Sequence, residues 1–475
     1  MLGGDRIRCR SAFALFRERC AEWTPERAER VAWTDPAALR RAAALLAERG
    51  PVCHASWSGV NQGRNATQTA RAISCLYALT GDFDAPGGNV FFRGAPQEVP
   101  FGRRLLPPEQ RAKTIGLAER PLGPAADGGV SVPDLWTSIL DGSPYRTRAL
   151  VSFGMNPLAS HANARRGAEA LRRLEFHVHA DLYETPTARF ADLLLPACTP
   201  WERESLRMGF AVDEEAFRTV QWRPRMVEPR GESRSDLDIV LGLAAELGLS
   251  EELGGRTAEE LYERRLAPSG VTLDELRRAP GHRVTVPGET TFRKYALPGE
   301  DGAPRGFGTP TRRAELYSTE MLDLGQDPLP AHEAPGYEPS DGFPLVLTCA
   351  KLPQFCQSQH RALPTLRRAV RHPSVALHPA AAAARGIAAD EWVEIVTPHG
   401  RIRARARLDG HLDERVACSD FGWWQACEEL GEPGYDALAA DGTSANYALL
   451  VGSDRRDPVS GSVPLRQAVC EIAPL

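Results

Sequence analysis

Residues 150–196 read LVSFGMNPLASHANARRGAEALRRLEFHVHADLYETPTARFADLLLP, and their alternation decides the fold. Residues 148–153 form an apolar, strand-like run, and 162–174 have helical spacing with arginines outward. Residues 175–180 form a second strand, 185–190 open a second helix, and 191–196 form a third strand. Strands that alternate with helices predict an α/β fold with a doubly wound parallel sheet. Such sheets bind ligands outside the carboxyl ends of their strands. Gly154, Asn156 and Pro157 follow the first strand there, supplying close backbone approach, a donor with an acceptor, and a fixed turn. Asp181 ends the second strand, where an acidic side chain can bond ribose hydroxyls. Thr185 before Pro186 reads as a helix cap whose free amides suit an anion. No GxGxxG is present, so nucleotide binding stands beside the plainer reading of a βαβ unit with ordinary turn residues.

Working outward, residues 11–49 read as two helices, the second capped by Asp35 ahead of Pro36 and stopped at Gly50. Residues 66–80 carry Ile73, Leu76, Tyr77 and Thr80 at helical spacing, with Gly81 as the stop. The Gly- and Pro-rich passage 81–108 is too long for a simple turn, and loops of that length are usually functional or mobile. Ser235 with Asp238 forms a capping box before an amphipathic run. Residues 325–344 have the composition of a linker. Beyond them the pattern changes to short strands, with a turn at Pro398–Gly400 between two alternating runs. The expected divisions are 1–130, the rest of an α/β domain with the long loop, and 131–225, a Rossmann-like domain. A connecting region, 226–340, and a β-barrel domain of the double-psi type, 341–475, complete them.

Composition narrows the function. A net charge of -5 gives no electrostatic footprint for nucleic acid. No run approaches the ~18 apolar residues of a membrane span, and the first twenty residues lack a signal-peptide core. The chain as given is therefore expected in the cytoplasm; an export signal upstream of Met1 would place it in the periplasm. The ten cysteines include no CxxC or CxxxC, which argues against a local zinc or iron–sulfur motif and for scattered reduced thiols. His177 and His179 share a strand face, but no third ligand is near, so structural hydrogen bonding outweighs a metal pair. Glu202 and Glu204 suit acid–base work or a solvated loop equally. Trp423 and Trp424 can stack on a flat heterocycle, although aromatic pairs usually close a core. No P-loop, HExxH or Ser–His–Asp set appears.

Taken in order, GVNQGRNATQTARAISCLYALTGDFDAPGGNV (59–90), SFGMNP (152–157), HADLYETPTARFADLLLPACTPWE (179–202) and TPTRRAELYS (309–318) resemble molybdopterin oxidoreductases of the dimethyl sulfoxide reductase class. HRALPTLRR (360–368), SVALHPAAAAARGIAADEWVEIVTPHGRIRARA (374–406), FGWW (421–424) and DPVSGS (457–462) continue the resemblance over nearly the whole chain. It implies two-electron redox of a small substrate at molybdenum or tungsten held by two pterin dithiolenes, as bis(molybdopterin guanine dinucleotide). By the same resemblance Gly154, Asn156 and Asp181 contact one nucleotide, and His360, Arg361, Trp424, Asn446 and Arg466 lie near the pterins. Arg93, just after PGGNVFF, matches an active-site arginine of the formate dehydrogenase relatives, placed to hold an anionic substrate or developing charge.

The departures are informative. The family's cysteine-rich front segment for a [4Fe-4S] cluster and the region supplying the protein ligand to the metal have no counterpart here, so no metal ligand is assigned. The expected partners are an N-terminal half-chain and an iron–sulfur electron-transfer subunit. Read this way, the chain is the C-terminal two thirds of a truncated or split enzyme. The alternatives are a non-catalytic cofactor-binding accessory subunit and a decayed remnant.

Overall fold

The computed structural model describes residues 8–99, 106–209, 211 and 213–475. Part of the Gly- and Pro-rich passage, residues 100–105, lies outside them. The front of the chain holds three helices where two are expected: α1 (Ala12–Ala21), α2 (Pro25–Ala32) and α3 (Pro36–Glu48). The extra break is local chemistry. Thr24 accepts from Arg27 N, Pro25 takes the first helical position, and Trp33 ends α2 in the left-handed region. Asp35 caps α3 as expected, accepting from Ala37 N and Ala38 N.

Helix α4 (Ala66–Thr80) stops at Gly81 but has no side-chain cap within its own segment. One of its first amides is served by a carboxylate 390 residues on. Thr67 N and Thr67 Oγ1 donate to Asp457 at 2.9 and 2.7 Å, and the same carboxylate accepts from Val459 N and Ser460 N. The long loop after α4 is pinned where it is described. Asn89 brackets the His54 backbone with two hydrogen bonds, and the buried Asp84 accepts from Lys294 N at 2.8 Å.

After the short α5 (Pro108–Arg111) comes α6 (Val132–Asp141), then strand β1 (Ala149–Phe153), α7 (Pro157–Ser160), α8 (Ala164–Arg173), β2 (Phe176–Asp181) and β3 (Leu193–Pro196). The three strands form a parallel sheet in the order β1-β2-β3, in register Val151 with Val178 with Leu193. Leu150 turns to the helices, where Trp136, Ile139, Leu158 and Leu171 make the core. The helix expected over 185–190 is a single 3-10 turn, Ala188–Phe190. Thr185 Oγ1 does accept from Ala188 N, but β3 begins three residues after the turn, which leaves no length for an α-helix or its anion-binding dipole.

A small antiparallel sheet follows, β4 (Ser205–Arg207), β5 (Thr219–Arg223) and β6 (Arg283–Thr285), with α9 (Glu214–Arg218) and α10 (Asp236–Glu246) between. At the head of α10 Ser235 Oγ accepts from Asp238 N and donates to the Asp238 carboxylate. The linker-like segment 325–344 is strapped down. Asp327 pairs with Arg19, and Tyr337 donates to Asp454 at 2.9 Å.

The last part is a closed six-stranded barrel of β7 (Leu345–Cys349), β8 (Ser374–Leu377), β9 (Trp392–Thr397), β10 (Gly400–Leu408), β11 (Val416–Ser419) and β12 (Ala468–Pro474). Pro398 and His399 turn β9 into β10, as the alternation predicts. Leu347, Val375, Leu377, Val393, Ile395, Ile402 and Ile472 are at most 1% exposed and fill the barrel. Each such side chain contributes roughly 1.5–3 kcal/mol. Closure removes sheet edges there. Among the described residues no helix is long and apolar enough to cross a membrane.

Candidate functional site

A cleft of about 560 Å³ lies between the carboxyl ends of β1 and β2 and one end of the barrel. Gly154, Asn156 and Asp181 line it from the sheet, and Gln357, Ser358, Gln359, His360 and Trp424 from the barrel. Seven of the residues picked out in the sequence, Pro157 and Thr185 included, thus meet across one space from two distant stretches of the chain.

On the sheet side, Gly154 takes φ 56° and donates to Ala180 O, and a Cβ there would face open space. That turn lets the chain leave β1 without covering the cleft floor. Asp181 accepts from Leu182 N at 2.6 Å and sits 3.3 Å from His179 Nε2. Asn156 joins the two walls: Nδ2 donates to Ser358 Oγ at 3.3 Å, and Oδ1 accepts from Thr187 Oγ1 at 3.0 Å.

On the barrel side, Gln357 and His360 both occupy the left-handed region, at φ 52° and 72°. Non-glycine residues there carry a cost of order 1–3 kcal/mol each, and the loop persists because its surroundings over-determine it. Arg361, 2% exposed, does most of that. Its guanidinium donates to Gln357 O at 2.6 Å, to Gln359 O at 3.1 Å and to Phe421 O, while Arg361 N donates to Gln425 Oε1. Burial lowers its pKa to about 10. Gly422 permits the contact, since a Cβ there would stand 2.7 Å from Gln357 O. Asp420, buried beneath, accepts from Ser374 N and from Trp423 Nε1, and burial pushes its pKa up to about 7.

The remaining predicted residues divide. Trp424 lines the cleft and donates to Ser358 O at 2.7 Å, whereas Trp423 is fully buried against Phe355 and Tyr435. Arg361 and Asn446 act from behind the walls. Asn446 Nδ2 donates to Leu158 O at 2.6 Å and Ala437 O at 2.8 Å, so this buried amide ties the sheet unit to the C-terminal unit and braces the latter internally. Arg466 borders a smaller adjoining recess and donates to Gln62 Oε1 and Cys349 O. Arg93 is exposed and is not among the cleft-lining residues.

His177 and His179 are fully buried and share Ser152 Oγ, at 3.0 and 2.6 Å, as a strand-face network. Glu202 is buried rather than solvated. Thr199 N at 2.8 Å and Arg230 N at 2.9 Å hold its carboxyl below the usual carboxylate range. Among the described residues no three His, Cys, Asp or Glu side chains gather as a metal-ion site.

Sequence reasoning missed Gln62, His161, Tyr183, Arg203 and the run Gln357–Gln359. Arg203, half-buried, reaches both the cleft and a second, more polar pocket beside it. Burial holds His161 below the usual histidine range, which keeps its ring uncharged at neutral pH.

Residues 45–246 match the model of the molybdopterin oxidoreductase family, and residues 345–469 that of the Molydopterin dinucleotide binding domain. The chain is 26% identical to acetylene hydratase of Syntrophotalea acetylenica, over 96% of this chain and 65% of that protein. It is also 26% identical to dopamine dehydroxylase of Eggerthella lenta, over 98% of this chain and 53% of that one. With the dimethyl sulfoxide reductase of Escherichia coli it shares 26%, over 84% and 52%. The solved acetylene hydratase from Pelobacter acetylenicus superposes with a TM-score of 0.82 at 24% identity, over 98% of this chain and 66% of that structure. The chain thus spans about half to two thirds of the length of these relatives. With its parallel sheet and its closed barrel, the chain is similar to molybdopterin oxidoreductases over residues 45–246 and to the Molydopterin dinucleotide binding domain over residues 345–469.

Proposed function

We propose that this chain carries the nucleotide grip and the pterin-facing barrel of an oxidoreductase acting on a small substrate through molybdenum or tungsten bound as bis(molybdopterin guanine dinucleotide). The observation that carries the reading is the cleft itself, in which the carboxyl ends of β1 and β2 face a strained barrel loop. Its size lies within the ~300–1,000 Å³ of small-molecule sites. Its donor set suits a dinucleotide. Asp181 offers a carboxylate to sugar hydroxyls, Arg203 and His360 offer donors to phosphate, and the Trp424 ring and the 357–359 amides suit a flat heterocycle.

When bound, the metal and its pterins supply the two-electron chemistry. This chain's residues bind, orient and exclude water. The pinned loop 357–360 meets the cofactor without reorganising, and the uncharged His161 at the cleft wall offers a neutral donor or acceptor. Arg93 is assigned to the substrate side on the resemblance alone. An iron–sulfur cluster and an iron–sulfur partner subunit would supply electron transfer, and no residue of this chain is assigned to hold them. The relatives' names include a hydratase, a dehydroxylase and a sulfoxide reductase, so the substrate is sought by assay across those classes. A cofactor-holding accessory subunit is the second reading.

The test is the protein purified from molybdate- or tungstate-supplied cells. Metal is measured by mass spectrometry, pterin by fluorescence of its oxidised form, and the acid-released nucleotide by chromatography. The expected result is metal with guanine nucleotide, both lost in Asp181→Ala. Pterin without turnover in a preparation containing the front portion supports the accessory reading, and no pterin at all overturns both.

A further inference from the structure

The two histidines of β2 sit in the core, yet they connect to the cleft. In the parallel register Ser152 lies opposite His179 and Leu150 opposite His177. By the two-residue period of a strand, His177, His179 and Asp181 therefore share the face that α6 and α8 cover. Both histidines are 0% exposed there, beside Trp136, Ile139, Leu158 and Leu171. Packing alone would be served by an apolar side chain, which carries no need for buried hydrogen bonds.

Those bonds run in a line. His177 Nε2 lies 3.0 Å from Ser152 Oγ, Ser152 Oγ 2.6 Å from His179 Nδ1, and His179 Nε2 3.3 Å from Asp181 Oδ2. The end of the line sets its direction. A carboxylate offers acceptors only, so His179 Nε2 carries the proton that faces Asp181. In a neutral ring Nδ1 then holds a lone pair and accepts from the Ser152 hydroxyl, whose oxygen is free to accept from His177 Nε2. His177 Nδ1, at the far end, has no hydrogen-bond partner, so the order is imposed from the Asp181 end. Burial also holds His177 below the usual histidine range.

Asp181 is thereby held at both oxygens. Oδ1 accepts from Leu182 N at 2.6 Å and Oδ2 faces His179, while the side chain keeps 15% exposure at the cleft wall. A carboxylate fixed in this way meets a sugar without giving up rotational freedom on binding.

We infer that His179 is a positioning residue for nucleotide recognition: its Nε2–H aims the Asp181 carboxylate at the ribose hydroxyls, and the buried Ser152–His177 pair holds the ring in the tautomer that does so. The inference rests on the cofactor reading, because it takes Asp181 as the sugar grip.

The experiment measures GDP binding to the full chain by equilibrium dialysis, with a melting temperature for each variant. His179→Phe keeps a ring and removes both nitrogens, and should weaken GDP by about fivefold. His179→Gln, whose amide nitrogen reaches the place of Nε2, should stay within about twofold of the parent. In an Asp181→Ala background the same two substitutions should change nothing further. Nor should 2′,3′-dideoxy-GDP, which lacks the hydroxyls, distinguish His179→Phe from the parent. Should the phenylalanine variant fail to fold, His179→Leu takes its place in the cycle. A loss that persists in the Asp181→Ala background, or a glutamine variant as weak as the phenylalanine one, makes His179 merely structural and overturns the inference. A parent that binds GDP with no effect of His179→Phe overturns the inference alone and leaves the cofactor reading standing. A parent that binds no GDP and carries no pterin overturns that reading, and this inference with it.

Discussion

Asn446→Ala separates a buttress from a ligand contact. The substitution removes two donors, leaving Leu158 O and Ala437 O without them in a site that is 0% exposed. It also removes the oxygen that accepts from Ala448 N at 3.2 Å. Each buried group left unsatisfied costs roughly 1–3 kcal/mol. Partial relaxation and non-additivity bring the total to about 3–4 kcal/mol. For a barrel unit of about 130 residues, that corresponds to a fall of roughly 10 °C in its melting temperature. Asn446→Asp should be worse than alanine, because a carboxylate oxygen would then face two carbonyls. The assay is calorimetry on the full chain, with pterin content measured alongside. A melting temperature within about 1 °C of the parent, together with a large loss of cofactor, would refute the buttress and return Asn446 to the ligand-contacting set.

Other expectations follow from the same geometry. Asp181→Ala removes one charge-assisted acceptor and should weaken nucleotide retention by ~10–100-fold in equilibrium dialysis, with melting little changed. Trp424→Phe keeps a ring in the cleft but releases Ser358 O, and should raise the nucleotide dissociation rate by about fivefold, with Trp424→Ala raising it further. Asp420 has a folded pKa of about 7, above its unfolded value, so its contribution is present in acid and lost as pH rises through 7. Urea denaturation should therefore show stability falling by up to ~1.4 kcal/mol per pH unit between about pH 4 and 7, a slope missing from Asp420→Asn.

Much of the scaffold is legible because its signals are local. Alternation marks β1, β2, β3 and the β9–β10 hairpin, Asp35–Pro36 and Ser235–Asp238 mark helix starts, and Gly81 marks a stop. The cleft residues that could be named in advance, Gly154, Asn156 and Asp181, sit at strand ends whose place follows from the sheet's polarity. The failures have a common cause. Whether Arg361 or Asn446 faces a ligand or props a loop depends on packing from segments 60 to 290 residues away. Trp423 and Trp424 are neighbours in an irregular segment with no periodicity to say which turns inward. Gln357 and His360 adopt left-handed backbone without the glycine or asparagine that usually announces it, so the shape of the loop that makes half the cleft has no local mark, and only the resemblance picks out His360. Thr185 caps a turn, not a helix, because only the position of the next strand limits its length.

The carboxylate of Asp457 at the head of α4 has a consequence for how the molecule is made. The 390 residues between Thr67 and its acceptor take about 20–80 s to synthesise at ~5–20 residues per second. Throughout that time α4 has emerged without a cap, and its first turn is free to fray. The start of α4 is secured only once Asp457 has left the ribosome, so a chaperone or protease meets a helix whose first turn stays open until then.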